Sequence, residues 1–303
     1  MRKLMSSTNN AKLRDPFILK HNNLYYHCFT KDCLTISISC SDTLEGLEFA
    51  QEQVVFIPDK LEYSKQVWAP ELHIIEGKCY IYFAASDGDN HNHRMYVLYN
   101  DSNNPLDEYK MHGQITDDSN RWAIDGTVFK YNGEYYYLWS GWEGFIDVRQ
   151  SIYICKMFDP FTLTGERKLI STPTFDWEKV GSTPEDQEYH PYVNEGPFCV
   201  EINNNVYLAY SASGSWCDGY CIAFMKLIGN DPLDINCWKK YEKFTLSKND
   251  LIKGAGHCCI LKENNEYKVF FHAWDKNEER VIQSTVELWE GMLKIEDETI
   301  EII

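Results

Sequence analysis

The sequence predicts an all-β fold, a five-bladed β-propeller with four antiparallel strands per blade. Three observations predict it. A strand–turn–strand pattern recurs five times, further strand-like stretches fill each interval, and helical periodicity is weak throughout.

The first hairpin starts at Pro16 (PFILKHNNLYYHCFT) and the second at Glu71 (ELHIIEGKCYIYFAAS). The third starts at Thr127 (TVFKYNGEYYYLWSGW), the fourth at Pro197 (PFCVEINNNVYLAYSASG) and the fifth at Cys258 (CCILKENNEYKVFFHAW). Each turn carries Asn or Gly: Asn22-Asn23, Gly77, Asn132-Gly133, Asn203 to Asn205, Asn264-Asn265. These residues tolerate the positive φ of tight hairpins, and the flanking β-branched and aromatic residues suit strands. The repeats recur at roughly 55–70 residues, within the range of propeller blades with loop insertions. Second hairpins fill the intervals, for example LTISISC with QEQVVFI and SIYICKM with RKLIS. Two hairpins per repeat make a four-stranded blade. Neither linker nor low-complexity tract interrupts the chain, so residues 1–303 read as one domain.

The net charge of -17 argues against nucleic-acid and anionic-membrane partners. A neutral ligand such as a sugar is compatible with it. The 11 Cys are an odd number without ligand spacing, and the N-terminus lacks the apolar stretch of a secretory signal. Together these point to a reduced, cytoplasmic protein.

The residues with chemistry stand just before each hairpin: Arg14-Asp15, Val67-Trp68-Ala69-Pro70, Ala123-Ile124-Asp125-Gly126, Asn194-Glu195-Gly196 and Gly254-Ala255-Gly256-His257. The innermost strands of a propeller start around one mouth of the central channel. Asp15, Asp125, Glu195, His257 and Trp68 are therefore expected in one pocket. Gly126, Gly196 and Gly256 are expected to let the backbone approach a ligand. Trp68 and Trp142 are candidates for stacking on sugar faces, and Arg280 for reaching the pocket from the last long strand. Glu71 reads as facing solvent, and His91 and His93 as a solvated loop. The polar segment from Asp176 to Tyr192 is placed to overhang the pocket.

RDPFI, VWAPELH, AIDGTVF, NEGPF and GAGH, in this order from residue 14 to residue 257, resemble glycoside hydrolase family 43. The family comprises inverting arabinofuranosidases, arabinanases and β-xylosidases on a five-bladed propeller. The resemblance implies Asp15 as general base, Asp125 as the carboxylate that tunes and orients the acid, and Glu195 as general acid. It implies a sugar pocket lined by Trp68. His257 matches a channel histidine that in some members contributes to a water-bridged calcium site, so calcium is the one cofactor it suggests; the alternative for His257 is a substrate-binding role as hydrogen-bond donor to the sugar.

Inversion needs an acid to protonate the leaving oxygen and a carboxylate to deprotonate water on the opposite face, and opposite walls of a channel suit that gap. The compact chain looks most like an exo-acting α-L-arabinofuranosidase trimming arabinan or arabinoxylan oligosaccharides. A β-xylosidase or dual enzyme is the alternative. A β-fructosidase-like propeller would retain configuration, and a non-catalytic sugar-binding propeller would need no acid and base pair.

Overall fold

Five two-residue hairpin turns set the architecture. Their central pairs, Asn22-Asn23, Glu76-Gly77, Asn132-Gly133, Asn203-Asn204 and Asn264-Asn265, all have positive φ. Two successive positive φ values define the tight turn whose twist matches the flanking strands. The computed structural model describes residues 1–6, 10–146, 149–181, 191–277, 286–296 and 299–303.

The strands are organised around these turns. β1 (Arg2–Met5) precedes the first meander, β2 (Phe17–His21), β3 (Leu24–Lys31), β4 (Thr35–Ser41) and β5 (Glu52–Phe56). The second is β6 (Lys65–Ile75), β7 (Lys78–Ser86), β8 (Arg94–Asn100) and β9 (Lys110–Gln114). The third is β10 (Ala123–Tyr131), β11 (Glu134–Trp142), β12 (Arg149–Asp159) and β13 (Thr162–Ser171). The fourth is β14 (Tyr192–Ile202), β15 (Asn205–Ala212), β16 (Cys221–Leu227) and β17 (Trp238–Lys240). The fifth is β18 (Ile252–Glu263), β19 (Glu266–Asp275), β20 (Glu287–Glu296) and β21 (Thr299–Ile302). Within each meander, consecutive strands pair antiparallel. A two-residue parallel pairing, Arg149 with Tyr192 and Gln150 with Val193, joins the third to the fourth. β1 pairs with β20 beside β21, so the start of the chain completes the last meander.

The first strands touch one another in cyclic order: β2 with β6, β6 with β10, β10 with β14, β14 with β18, and β18 with β2. The core follows the same order. One apolar cluster joins the first meander to the second and to the fifth, through residues such as Phe83, Leu72, Phe270 and Leu288. Others lie between the second and third (Tyr82, Trp139), third and fourth (Leu138, Tyr210), and fourth and fifth (Phe224, Phe271). Each fully buried aromatic contributes on the order of 2–3 kcal/mol. The all-β class and the five strand–turn–strand units are as the sequence led us to expect.

Candidate active site

The first strands share a kink. Asp15 (φ 49°), Ala69 (43°), Asp125 (57°), Gly196 (54°) and His257 (47°) all lie in the left-handed region. Each stands seven residues before the first residue of its hairpin turn, so the five positions are structurally equivalent. In the last four meanders the strand pairing shifts register at this point. Holding a non-glycine residue there costs about 1–3 kcal/mol, and such strain gathers at functional sites. Glu195 stands one residue before the shared position, which Gly196 occupies. Glu195 therefore aligns with Trp68, not with Asp15 and Asp125.

The kinks bring Asp15, Asp125, Glu195 and His257 together. His257 Nδ1 lies 3.1 Å from Asp15 Oδ1 and 4.0 Å from Asp125 Oδ2. The Gly196 N–H donates to Asp125 Oδ2 at 3.0 Å, and the Tyr220 hydroxyl donates to Glu195 Oε1 at 2.8 Å. The Asp15 N–H donates to His272 Nδ1 at 3.1 Å, and the His257 N–H to Ser211 Oγ at 2.6 Å. Asp125, Glu195 and His257 are buried, while the Asp15 side chain keeps 25% exposure.

This environment drives the carboxyls apart. Burial pushes Asp15 up, but the surrounding positive charge, that of His257 foremost, outweighs it and holds the group below its ordinary value. Since His272 Nδ1 accepts an N–H, it carries a lone pair there, and His257 is the better candidate for the cation beside Asp15. Burial, then the charge of Asp125, pushes Glu195 up to about 8 against the pull of Tyr220 and His257. Asp125 rises to about 6 through burial, with Asp15 and Glu71 adding and His257 and the Gly196 amide opposing. For His257, burial lowers the pKa, yet Asp15, Asp125 and Glu195 leave it raised. One carboxyl held low and one held high thus stand in one cluster, the first disposed to accept a proton and the second to give one up.

The sequence profile of glycosyl hydrolases family 43 matches residues 7–287. The chain belongs to this family. An extracellular exo-α-(1→5)-L-arabinofuranosidase of Streptomyces chartreusis is 31% identical over 86% of this chain and 79% of its own length. A second protein of the same description, from Streptomyces avermitilis, is 34% identical over 81% of this chain, which spans about half (51%) of that relative. The crystal structure of an α-L-arabinofuranosidase from Lactobacillus brevis superposes with a TM-score of 0.84 at 29% identity, covering 94% of this chain and 92% of that one. Family 43 membership makes the protein a glycoside hydrolase. The two Streptomyces relatives are named extracellular, which overturns the expectation of a cytoplasmic protein. Among the described residues, no helix is long and apolar enough to cross a membrane.

The remaining sequence candidates of this family 43 chain divide. Trp68 is half-buried and lies on the His93 ring at 4.0 Å and 25°. Trp142 is corrected: at 1% exposure, stacked on Trp122 at 4.6 Å, it has no free face for a sugar. Arg280 lies outside the described residues, as does the middle of the segment from Asp176 to Tyr192. Glu71 is buried against His73 at 2.8 Å rather than solvated. His93 is also buried, bonded to the carbonyls of Asn90 and Gln66, while His91 is exposed. The space above Gly126, Gly196 and Gly256 is filled by Tyr137, His257 and Tyr220, so these glycines make room for protein side chains, not for ligand. Among the described residues no group of three or more His, Cys, Asp or Glu is disposed to hold a metal, and His257 is engaged by Asp15. The described residues offer no direct ligand set for calcium; the water-bridged ion that the resemblance implies at His257 is a separate arrangement, and no step here runs through a metal.

Tyr220 and His272 were not singled out by sequence. His272 carried a faint signal. It occupies, on β19, the position held by Ala84, Ser140 and Ser211 on the other second strands, and it is the one large residue of that set. Tyr220 lies in the loop between β15 and β16, outside the hairpins and their approaches from which the sequence candidates were drawn.

Proposed function

We propose that the protein is an inverting, exo-acting α-L-arabinofuranosidase that releases terminal arabinofuranosyl units from arabinan or arabinoxylan oligosaccharides. The chemistry is assigned to Asp15, Asp125 and Glu195, on a single five-bladed propeller domain spanning residues 1–303. The cyclic contacts of the first strands support the propeller. The names of the Streptomyces relatives support the sugar.

The observation that carries the mechanism is the opposite drive on two carboxyls of one cluster, Asp15 held low and Glu195 held high. Asp15, ionised and partly exposed, takes a proton from a water that attacks the anomeric carbon. Glu195 gives its proton to the glycosidic oxygen as the carbon–oxygen bond breaks. The sugar leaves with inverted configuration, and both carboxyls return to their starting states by exchange with solvent. Asp125, fixed by the Gly196 amide, supplies the neighbouring charge that keeps Glu195 protonated. The outer face of Trp68 forms a wall for the sugar.

The test is turnover of p-nitrophenyl α-L-arabinofuranoside, β-D-xyloside and galactoside, with product configuration followed by proton NMR. Preference for the arabinofuranoside with inversion supports the reading. Preference for the xyloside reassigns the sugar, and retention of configuration removes Asp15 as base.

A further inference from the structure

We propose that Tyr220 and His272 act together as positioning residues, a stacked pair that fixes the base end and the acid end of the pocket relative to each other. The proposal rests on the assignment of Asp15 and Glu195 just given.

The two rings lie face to face, 5.7 Å between centroids and 16° from parallel. Both are buried, at 0% and 1% exposure. Each reaches one of the two carboxyl residues: Tyr220 donates to Glu195 Oε1 at 2.8 Å, and His272 Nδ1 accepts the Asp15 N–H at 3.1 Å. The contacts differ in kind. Tyr220 touches the carboxylate itself and so acts on both its direction and its acidity. His272 Nδ1 takes the backbone N–H of Asp15 at its left-handed kink (φ 49°) and lies 3.5 Å from Asp15 Oδ1, and so fixes the conformation that aims the side chain.

The surroundings are built for this pair. A Cβ on Gly256 would overlap the Tyr220 ring, and Gly256 is also the cross-strand partner of His272. Glycine at this point of the GAGH motif lets one ring slide over β18 and against the other. Trp274 closes the far edge of His272, at 6.3 Å and 83°. The charged and titratable groups facing the acid end are Asp125, Tyr220, His257 and Asp15, and those facing the base end are His257, His272 and Arg14.

An accepting Nδ1 requires the imidazole proton to sit on Nε2. The role of His272 is thus that of a neutral acceptor, which Asn can imitate and Phe cannot. Phe, in turn, retains the ring stack.

The experiment compares wild type with Tyr220→Phe, His272→Phe and His272→Asn, each checked for folding by near-UV circular dichroism. The assay is kcat and kcat/KM against pH on p-nitrophenyl α-L-arabinofuranoside and on an arabino-oligosaccharide. Tyr220→Phe removes a donor to the carboxylate, so the alkaline limb of kcat/KM moves to higher pH while the acid limb stays. His272→Phe lowers kcat on both substrates by about 10²-fold, the usual consequence of misplacing a reacting group by about 1 Å. His272→Asn, which keeps the acceptor and loses the ring, recovers only part of that loss. An unmoved alkaline limb in Tyr220→Phe, or equal damage by Asn and Phe at 272, overturns the proposal while leaving the glycosidase assignment standing. Absence of turnover by the wild type on every glycoside would instead remove the assignment itself.

Discussion

His257 Nδ1 sits 3.1 Å from Asp15 Oδ1, and the imidazole's pKa is raised while the carboxyl's is lowered. Each group favours the charged form of the other against a burial cost that opposes both. The contact therefore sets how far the pH can fall before the base is lost.

The first prediction follows from its sign. A depressed carboxylate is ionised above its folded pKa and is lost as pH falls through it. His257→Asn removes the largest favourable charge at Asp15. The acid limb of kcat/KM should move to higher pH, and activity at mildly acidic pH should fall more than at pH 7. An unchanged acid limb would show that another group sets it.

Glu195 yields the second. A general acid matters in proportion to how badly the leaving group needs a proton. Glu195→Ala should cost about 10²–10⁴-fold on an arabino-oligosaccharide and much less on an aryl glycoside with an acidic phenol. Asp15→Ala should damage both substrates alike, because water must be activated in either case. Paired steady-state measurements on the two substrates decide it, and equal losses for Glu195→Ala would exclude the acid role.

How much of this was legible in the sequence follows from what each signal encodes. Hairpin turns are local chemistry, and Asn132-Gly133 or Asn264-Asn265 announce themselves within two residues. The repeat then places Asp15, Asp125 and His257 at one phase, since a recurring kink recurs in sequence. Glu195 was found because Asn194-Glu195-Gly196 stands just before the fourth hairpin, although it sits one residue off that phase, where Gly196 accommodates the His257 ring. Trp142 was misread because a tryptophan at the end of a strand looks the same whether its face meets sugar or Trp122. Tyr220 and His272 were missed because their value lies in a contact between two meanders. No period or local composition records such a contact.

The third prediction concerns the segment that leads into Glu195. Glu178 is fully buried, and its Oε1 accepts from Lys240 at 2.6 Å, Tyr210 at 3.0 Å and the Asn194 amide at 3.1 Å. Burial raises Glu178, but Lys240 and the amides of Phe175 and Thr174 outweigh it and keep it low. Lys240 itself is held below its ordinary value, because burial outweighs the attraction of Glu178. The ion pair is therefore well bonded yet costly to bury. Lys240→Met alone should destabilise by about 3–5 kcal/mol, by leaving Glu178 charged and unpaired, and Lys240→Met with Glu178→Leu should recover part of the loss. Urea unfolding of the two variants measures this, and a double variant no more stable than the single one would contradict it.

The fourth prediction separates backbone strain from chemistry at Gly196. Its φ of +54° disfavours any Cβ, and an added one would lie 3.1 Å from Cγ and Nδ1 of His257. Gly133 offers the control: its φ is +84°, in open space with no atom within 4 Å of an added Cβ. Alanine at either position should cost about 1 kcal/mol through the left-handed conformation. Only Gly196→Ala presses on His257 and shifts the N–H that holds Asp125, so only it should also lose activity, by about 10²-fold. Thermal melts paired with kcat distinguish the two contributions. If both variants kept full activity, the glycine at 196 would serve the turn of the chain and nothing more, and the fixed placement of Asp125 beside Glu195 would need another cause.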